Sequence, residues 1–149
     1  MKQIFKIMLD FDGTVVEHAY PKIGRCNFGC MEVIKKLQDA GHEIFLNTYR
    51  VEANNGSFEA AQKLLNEEYW MCLKDIGLRE TFEMKPITKY TTQKVNPPMY
   101  DWNYFKTCGT IYIDDICTGT PLKKTVIQVG GLMVDWDILD KHFIENEVY

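Results

Sequence analysis

No apolar run in the 149-residue sequence approaches the length that crosses a bilayer. The apolar stretch near the start is too short for a secretion signal and runs straight into two carboxylates. The expectation is a cytoplasmic protein with no membrane partner, whose first apolar stretch is a strand. Positive charge is also scarce: 17 Lys and Arg stand against 21 Asp and Glu, a net charge of −4. That balance excludes a general nucleic-acid binder, which needs a positive surface, but leaves room for a local basic pocket around one phosphate. Cysteine is sparse and odd in number: Cys26, Cys30, Cys72, Cys108 and Cys117. Only Cys26 and Cys30 lie close together, and no second Cys/His pair completes a zinc site. Reduced, mostly buried thiols are expected. Internal repeats and low-complexity tracts are absent.

What remains is a soluble composition, 46% apolar and 26% charged, of a size that suits one domain over residues 1–149. Residues 3–9 form a short β-rich run that ends at Asp10. Residues 28–40 set Met31, Ile34 and Leu37 at helical spacing, with Gly41 as the stop. Residues 43–46 make a second short strand. Asn54-Asn55-Gly56 is a turn, and Ser57 is placed to cap a helix whose stripe runs Phe58, Ala61, Leu65, Tyr69, Cys72, Ile76. A weaker strand is expected within 81–87. Residues 88–105 are too long for a plain connection and carry Tyr90, Tyr100, Trp102 and Tyr104, which either stack on a base or pack a small satellite core. Strands are expected at 110–113 and 124–129, and a closing helix at 135–146 with Trp136, Leu139 and Phe143 on one face. Alternating strands and helices imply an α/β protein with a mostly parallel sheet. Ligands of such sheets bind beyond the carboxyl ends of the strands, where Asp10, Thr48 and Asp114 all fall.

Three constellations carry chemistry. Asp10-Phe11-Asp12-Gly13-Thr14 follows a buried strand, and Gly13 permits the sharp turn that lets two carboxylates serve one site. A calcium loop of the EF-hand type would need Gly at its sixth position and Glu at its twelfth; Val15 and Pro21 stand there instead. Asp114-Asp115 follows a second apolar strand, and adjacent acids call for a positive partner such as a hard cation. The hydroxyl of Thr48, at the end of the 43–46 strand, suits a phosphate oxygen, and Arg50 offers either a fork for phosphate or a partner for a surface acid. Of Lys85, Lys89, Lys94 and Lys106, Lys106 lies closest to the start of the Asp114 strand and is selected as the fixed cation.

These residues resemble the motifs of the haloacid dehalogenase (HAD) superfamily of phosphohydrolases. Asp10-Phe11-Asp12-Gly13-Thr14 matches the first motif, Thr48 the second, Lys106 is taken as the third, and Asp114-Asp115 match the fourth. The longer string from Asp10 to Gly24 is similar to small bacterial and phage members without a large cap. The segment before Lys106 is longer here than in those relatives. The resemblance implies a Rossmann-like three-layer core of strand order 3-2-1-4-5 with a minimal cap or none. It also implies a phosphatase acting on phosphate monoesters through an aspartyl phosphate. Asp10 would be the nucleophile, and Asp12 the acid and base. Thr48, Lys106 and Arg50 would hold phosphate. Mg2+ would be held by Asp10, Asp12 (through its carbonyl), Asp114 and Asp115. Expected substrates are a small nucleotide or phosphosugar, or a polynucleotide end. The alternatives are a non-catalytic phosphate- or Mg2+-binding module and a receiver-like phospho-acceptor domain.

Overall fold

The computed structural model describes residues 2–126 and 129–149. Strand β1 (Lys6–Leu9) is the axis of the molecule because Ile7 and Leu9 are completely buried and both of its edges are paired. It runs parallel to β2 (Glu43–Leu46) on one side and to β4 (Thr110–Ile113) on the other. The two pairings are in step: Leu9 lies opposite Leu46 and also opposite Ile113. The chain therefore leaves all three strands at one level, and Asp10, Asn47 and Asp114 are the first residues beyond it. Parallel strands of this kind need helical crossovers. The first is α1 (Cys30–Asp39), whose Met31, Ile34 and Leu37 are fully buried, as their spacing predicts. Gly29 and Gly41, both at positive φ, bracket it.

Beyond β2 come a single turn, α2 (Arg50–Ala53), and then α3 (Ser57–Asn66). Ser57 does not cap α3. Gly56 stands at the cap position, and the side chain of Asn55 accepts from the Ser57 N–H at 3.1 Å. The expected long stripe breaks after Asn66 into 3-10 turns at Tyr69–Cys72 and Ile76–Leu78, and Ile76 is 80% exposed. Residues 81–87 form no strand. Pro86 has no N–H to give a ladder, and side-chain amides do the pairing instead. Gln38 bonds both backbone groups of Lys85, at 2.8 and 3.0 Å, and Asn66 bonds both of Ile87, at 3.1 and 2.8 Å. The ladder resumes only for β3 (Lys89–Tyr90), parallel to β2.

Helix α4 (Trp102–Cys108) leads into β4. The described residues of the fifth strand expected at 124–129 do not join the sheet. Residues Leu122–Lys124 (β5) fold back antiparallel onto Leu132–Val134 (β6), with Gly130 at positive φ between them, and residues 127–128 lie outside the described part. Among the described residues the main sheet thus has four parallel strands in the order β3-β2-β1-β4, the arrangement of a Rossmann-like α/β fold, and not the order 3-2-1-4-5. Helix α5 (Trp136–Glu145) closes the chain; Asp135 caps it by accepting from the N–H groups of Asp137 and Ile138, and Trp136, Leu139 and Phe143 are buried as expected.

Two further expectations are settled by packing. Tyr100 and Trp102 build a satellite core with Phe105, Phe143 and His142. Tyr90 lies edge-on to Phe58. The cysteines are not all reduced thiols: Cys26 and Cys72 are joined in a disulfide, with Cα atoms 5.2 Å apart. An antiparallel bridge between Val16 and Cys26 brings Cys26 to the 3-10 turn that carries Cys72. No helix among the described residues is long and apolar enough to cross a membrane.

Candidate active site

The level at which β1, β2 and β4 end is the floor of a cleft of about 380 Å³. Asp10, Thr48, Lys94 and Asp114 line it, and Asp12 and Asp115 stand at its sides. Asp10 is buried, and both of its oxygens are engaged: Oδ2 accepts from the Thr14 hydroxyl at 2.9 Å and Oδ1 from Lys94 Nζ at 2.8 Å. The same ammonium donates to Asp114 Oδ2 at 2.5 Å, while Asp114 Oδ1 accepts from the Ile116 N–H at 3.1 Å. Thr14 is itself fixed, because its carbonyl accepts from Asn27 Nδ2 and from the indole of Trp136.

Electrostatics follow from this burial. Desolvation, then repulsion from Asp114, hold the Asp10 carboxyl well above its ordinary range; Lys94 opposes the shift without cancelling it. Asp114 is raised by burial as well, again against Lys94. Burial alone would lower the Lys94 ammonium, but Asp10 and Asp114 together outweigh that and raise it. The cluster is short of positive charge.

Gly13, at φ 79°, is where the chain turns away from Asp10. A Cβ there would lie 2.3 Å from both Asp115 Oδ2 and His18 Nε2, so only glycine admits the His18–Asp115 pair, whose N···O distance is 2.6 Å. Asp10, Asp114 and Asp115 each present a carboxylate oxygen, and these lie within 4.8 Å of one another. Hard oxygen donors, two of them buried and the third half-buried, in excess of nearby cations, suit a divalent ion such as Mg2+ by donor type and by charge. The Asp12 side chain is outside this group.

Asp12 faces Arg50 instead. Nε and Nη2 of the guanidinium donate to Oδ2 and Oδ1 of Asp12, both at 2.7 Å. The other N–H groups of Arg50 go to the carbonyls of Pro21, Lys22 and Ser57. All five donors of a guanidinium are thereby used, and the side chain is 1% exposed. Arg50 lines the cleft but has no N–H left for a phosphate; it fixes Asp12 and ties residues 21–22 to the start of α3. Thr48 differs. Its buried oxygen accepts from the Arg50 N–H at 3.2 Å, which leaves its own proton free to donate into the cleft.

The lysine selected from the sequence is misplaced. Lys106 sits on the exposed side of α4 and touches no carboxylate of the cluster, whereas the Lys94 side chain is 1% exposed between two of them. Lys94 is delivered by Asn47, the residue beside Thr48. The Asn47 side chain bonds both backbone groups of Val95, at 2.8 and 2.9 Å, and accepts from Thr91 Oγ1 at 2.9 Å. No spacing rule announces such a clamp. The cue available in sequence was a lone Asn at a strand end, next to a candidate site residue. Tyr49 was not singled out from sequence; it lines the cleft, as does Tyr20.

No protein-family model matches this chain, and no curated protein matches it in sequence. Among solved structures it is similar to a conserved protein encoded by a locus of Bacteroides thetaiotaomicron, with a TM-score of 0.51 and 22% identity over 97% of this chain and 93% of that one. At that identity the likeness shows a shared fold, and what the site does has to be argued from its own residues.

Proposed function

We propose that the chain is a Mg2+-dependent phosphomonoesterase of the HAD type, one compact domain without a large cap, in which Asp10 is the nucleophile. The reading is carried by one observation: a buried carboxylate, Asp10, shares its cleft with a second, Asp12, that is held by a different cation and stands clear of the acidic cluster. Two carboxylates in separate surroundings suit separate tasks.

An Asp10 oxygen attacks phosphorus while the ester oxygen leaves, taking a proton from Asp12. Asp12 then removes a proton from water, whose oxygen attacks the phosphoryl group and returns Asp10 to carboxylate with release of inorganic phosphate. Each Asp12 oxygen uses one lone pair on Arg50 and keeps another for the proton; the side chain is 15% exposed, on the cleft side. Lys94 and the free Thr48 proton steady the equatorial oxygens as charge moves. Mg2+ on Asp10, Asp114 and Asp115 would offset repulsion between the anionic nucleophile and the anionic phosphate.

The receiver-like alternative has one observation in its favour: both Asp12 oxygens are tied to Arg50. The two readings part in Asp12→Asn. A phosphatase loses alkyl phosphate turnover by about 10²–10⁴-fold, loses less of the first step on aryl phosphates, and accumulates phosphoryl-Asp10, seen as added mass after acid quench. A phospho-acceptor domain carries that mass already in the wild type and gains little from the substitution. Equal losses on both ester types, with no phosphoprotein at any time, would remove Asp12 from the chemistry.

A further inference from the structure

We propose that the ester cleaved here is the monophosphate of an uncharged, planar ring system, as in a nucleoside monophosphate or a phosphate on an aromatic ring. The proposal rests on the phosphatase reading and goes on to name the leaving group.

The mouth of the cleft is apolar. Tyr20, Tyr49 and Ile116 line it and are 48%, 55% and 55% exposed. The two rings come from different parts of the chain, the segment after β1 and the turn after β2, and both are pinned at their far ends. The Tyr20 hydroxyl accepts from Asn55 Nδ2, and the Tyr49 hydroxyl donates to Asn96 Oδ1, both at 2.9 Å. A ring already held loses little freedom when a ligand stacks on it. Each ring also leans on a site cation: Arg50 Cζ lies 5.3 Å from the Tyr20 centroid and Lys94 Nζ 5.3 Å from that of Tyr49. The tyrosines thus sit one residue outward from the groups that hold Asp12 and Asp10, where the leaving group of a phosphoryl ester on Asp10 emerges.

Charge narrows the choice further. The basic side chains lining the cleft are Lys94, Arg50 and His18, and each is already committed to a carboxylate. Both fixed cations are already engaged, so a second phosphate on the substrate meets no unengaged positive partner among the lining residues. Sugar hydroxyls fare little better, since they need directional partners and the rim offers mainly ring faces and an isoleucine. A flat base or aryl ring needs only the faces, and stacking on one aromatic side chain is worth about 1–3 kcal/mol.

The test compares kcat/KM of the full chain in Mg2+ for adenosine 5′-monophosphate, free phosphotyrosine, glycerol phosphate, glucose 6-phosphate and adenosine 3′,5′-bisphosphate. At least one ring-bearing monophosphate is expected to exceed glycerol phosphate and glucose 6-phosphate by about tenfold or more, and the bisphosphate to fall below the nucleoside monophosphate. The two ring-bearing arms separate nucleotide from aryl phosphate. In Tyr49→Ala and Tyr20→Ala the preference for the ring ester over glycerol phosphate should drop about tenfold, while Tyr49→Phe, which keeps the ring, should retain it. Glycerol or glucose phosphate matching the ring esters, or a preference untouched in both alanine variants, overturns the proposal and leaves the phosphatase reading standing. Should no ester turn over, that reading falls. The proposal is then judged by equilibrium binding of adenosine monophosphate against glycerol phosphate, where equal affinities sink it.

Discussion

Asp10 and Lys94 meet at 2.8 Å, yet they arrive there by opposite routes. Asp10 is the residue after β1, and its N–H still bonds the Ile113 carbonyl at 2.9 Å, so the sheet ladder itself sets its position. Lys94 belongs to an irregular run between β3 and α4 and is held by what Asn47 does to its neighbour Val95. Both are buried and both are charged. One placement is a property of the backbone, the other of a single side-chain amide. The acids should therefore be robust to changes elsewhere, and the lysine should be easy to displace.

The largest loss of turnover is expected from Asp10→Asn, by about 10⁴-fold or more if the nucleophile is Asp10. The same substitution should stabilise the fold. The folded-state pKa of Asp10 is raised above its ordinary 3.8, so its favourable contribution is complete below that value and is lost as pH rises through the raised one. At neutral pH the ionised group is a burden that the amide lacks. Thermal unfolding at pH 7 in chelator, where no Mg2+ adds its own stabilisation, should show Tm up by about 2–4 °C, the shift that ~1 kcal/mol makes in a domain of this size. The gain should shrink as the buffer is acidified from the raised value towards 3.8. A lower Tm at pH 7 would contradict the electrostatic account of the cluster.

Lys94→Met comes next. It leaves Asp10 and Asp114 facing each other without their shared cation, so turnover should fall about 10²–10³-fold, and stability by about 3 kcal/mol as a buried pair is broken from one side. Lys106→Met, on the exposed side of α4, should change neither. Equal effects from the two lysines would show that the geometric choice between them is wrong.

This contrast explains what the sequence could and could not tell. The strands β1, β2 and β4, the helices α1 and α5, and the shared level of Asp10, Thr48 and Asp114 follow from short apolar runs and helical spacing, which are local signals. The strand assigned within 81–87 failed because its pairing partners are Gln38 and Asn66, side chains distant in sequence that imitate a ladder. The lysine failed for the same reason, through Asn47. Proximity to the Asp114 strand favoured Lys106, but the segment that carries Lys94 doubles back over the strand ends. Arg50 was legible as a site residue and not as to role, since its partners at residues 12, 21, 22 and 57 depend on the tertiary fold. The fifth strand was assigned to the sheet because hydrophobicity marks a strand but does not say what it pairs with.

Asn47→Ala tests the clamp directly and should be milder than Lys94→Met. The substitution strips partners from both backbone groups of Val95 and from the Thr91 hydroxyl, at a cost of about 1–3 kcal/mol. Lys94 keeps its charge but loses its register, and a misplacement of this kind is worth up to about 10² in rate. Asn47→Asp keeps the acceptor to Val95 N–H and Thr91 but sets a buried carboxylate oxygen against the Val95 carbonyl, so it should cost at least as much as alanine. Wild-type turnover in Asn47→Ala would mean that Lys94 finds Asp10 and Asp114 unaided, and the contrast between ladder and clamp would lose its point.

Apart from the Lys106→Met control, the smallest effect on turnover is expected from removing the disulfide, and here stability and activity should separate. Cys26 and Cys72 lie 46 residues apart in sequence and outside the cleft lining. Their bond ties the segment that follows Asp10 to the 3-10 turn beyond α3. A cross-link over a loop of that length restricts the unfolded chain and stabilises a fold by about 2–4 kcal/mol. The segment has a second tether inside the site, the bonds from Arg50 to the carbonyls of Pro21 and Lys22, at 3.2 and 2.7 Å. Because that tether survives, Cys26→Ser/Cys72→Ser should lower Tm by several degrees while kcat/KM, measured well below Tm, stays within about twofold. Reductant should reproduce the loss of Tm in the wild type and leave the double variant unmoved, which assigns the effect to the bond itself and not to the serines. A disulfide persists in oxidising surroundings and is rare where thiols are kept reduced, so the same measurement gives the stability of the chain in either setting. A large fall in turnover on reduction, at a temperature where the fold persists, would show that Arg50 alone does not hold the segment beside Asp12.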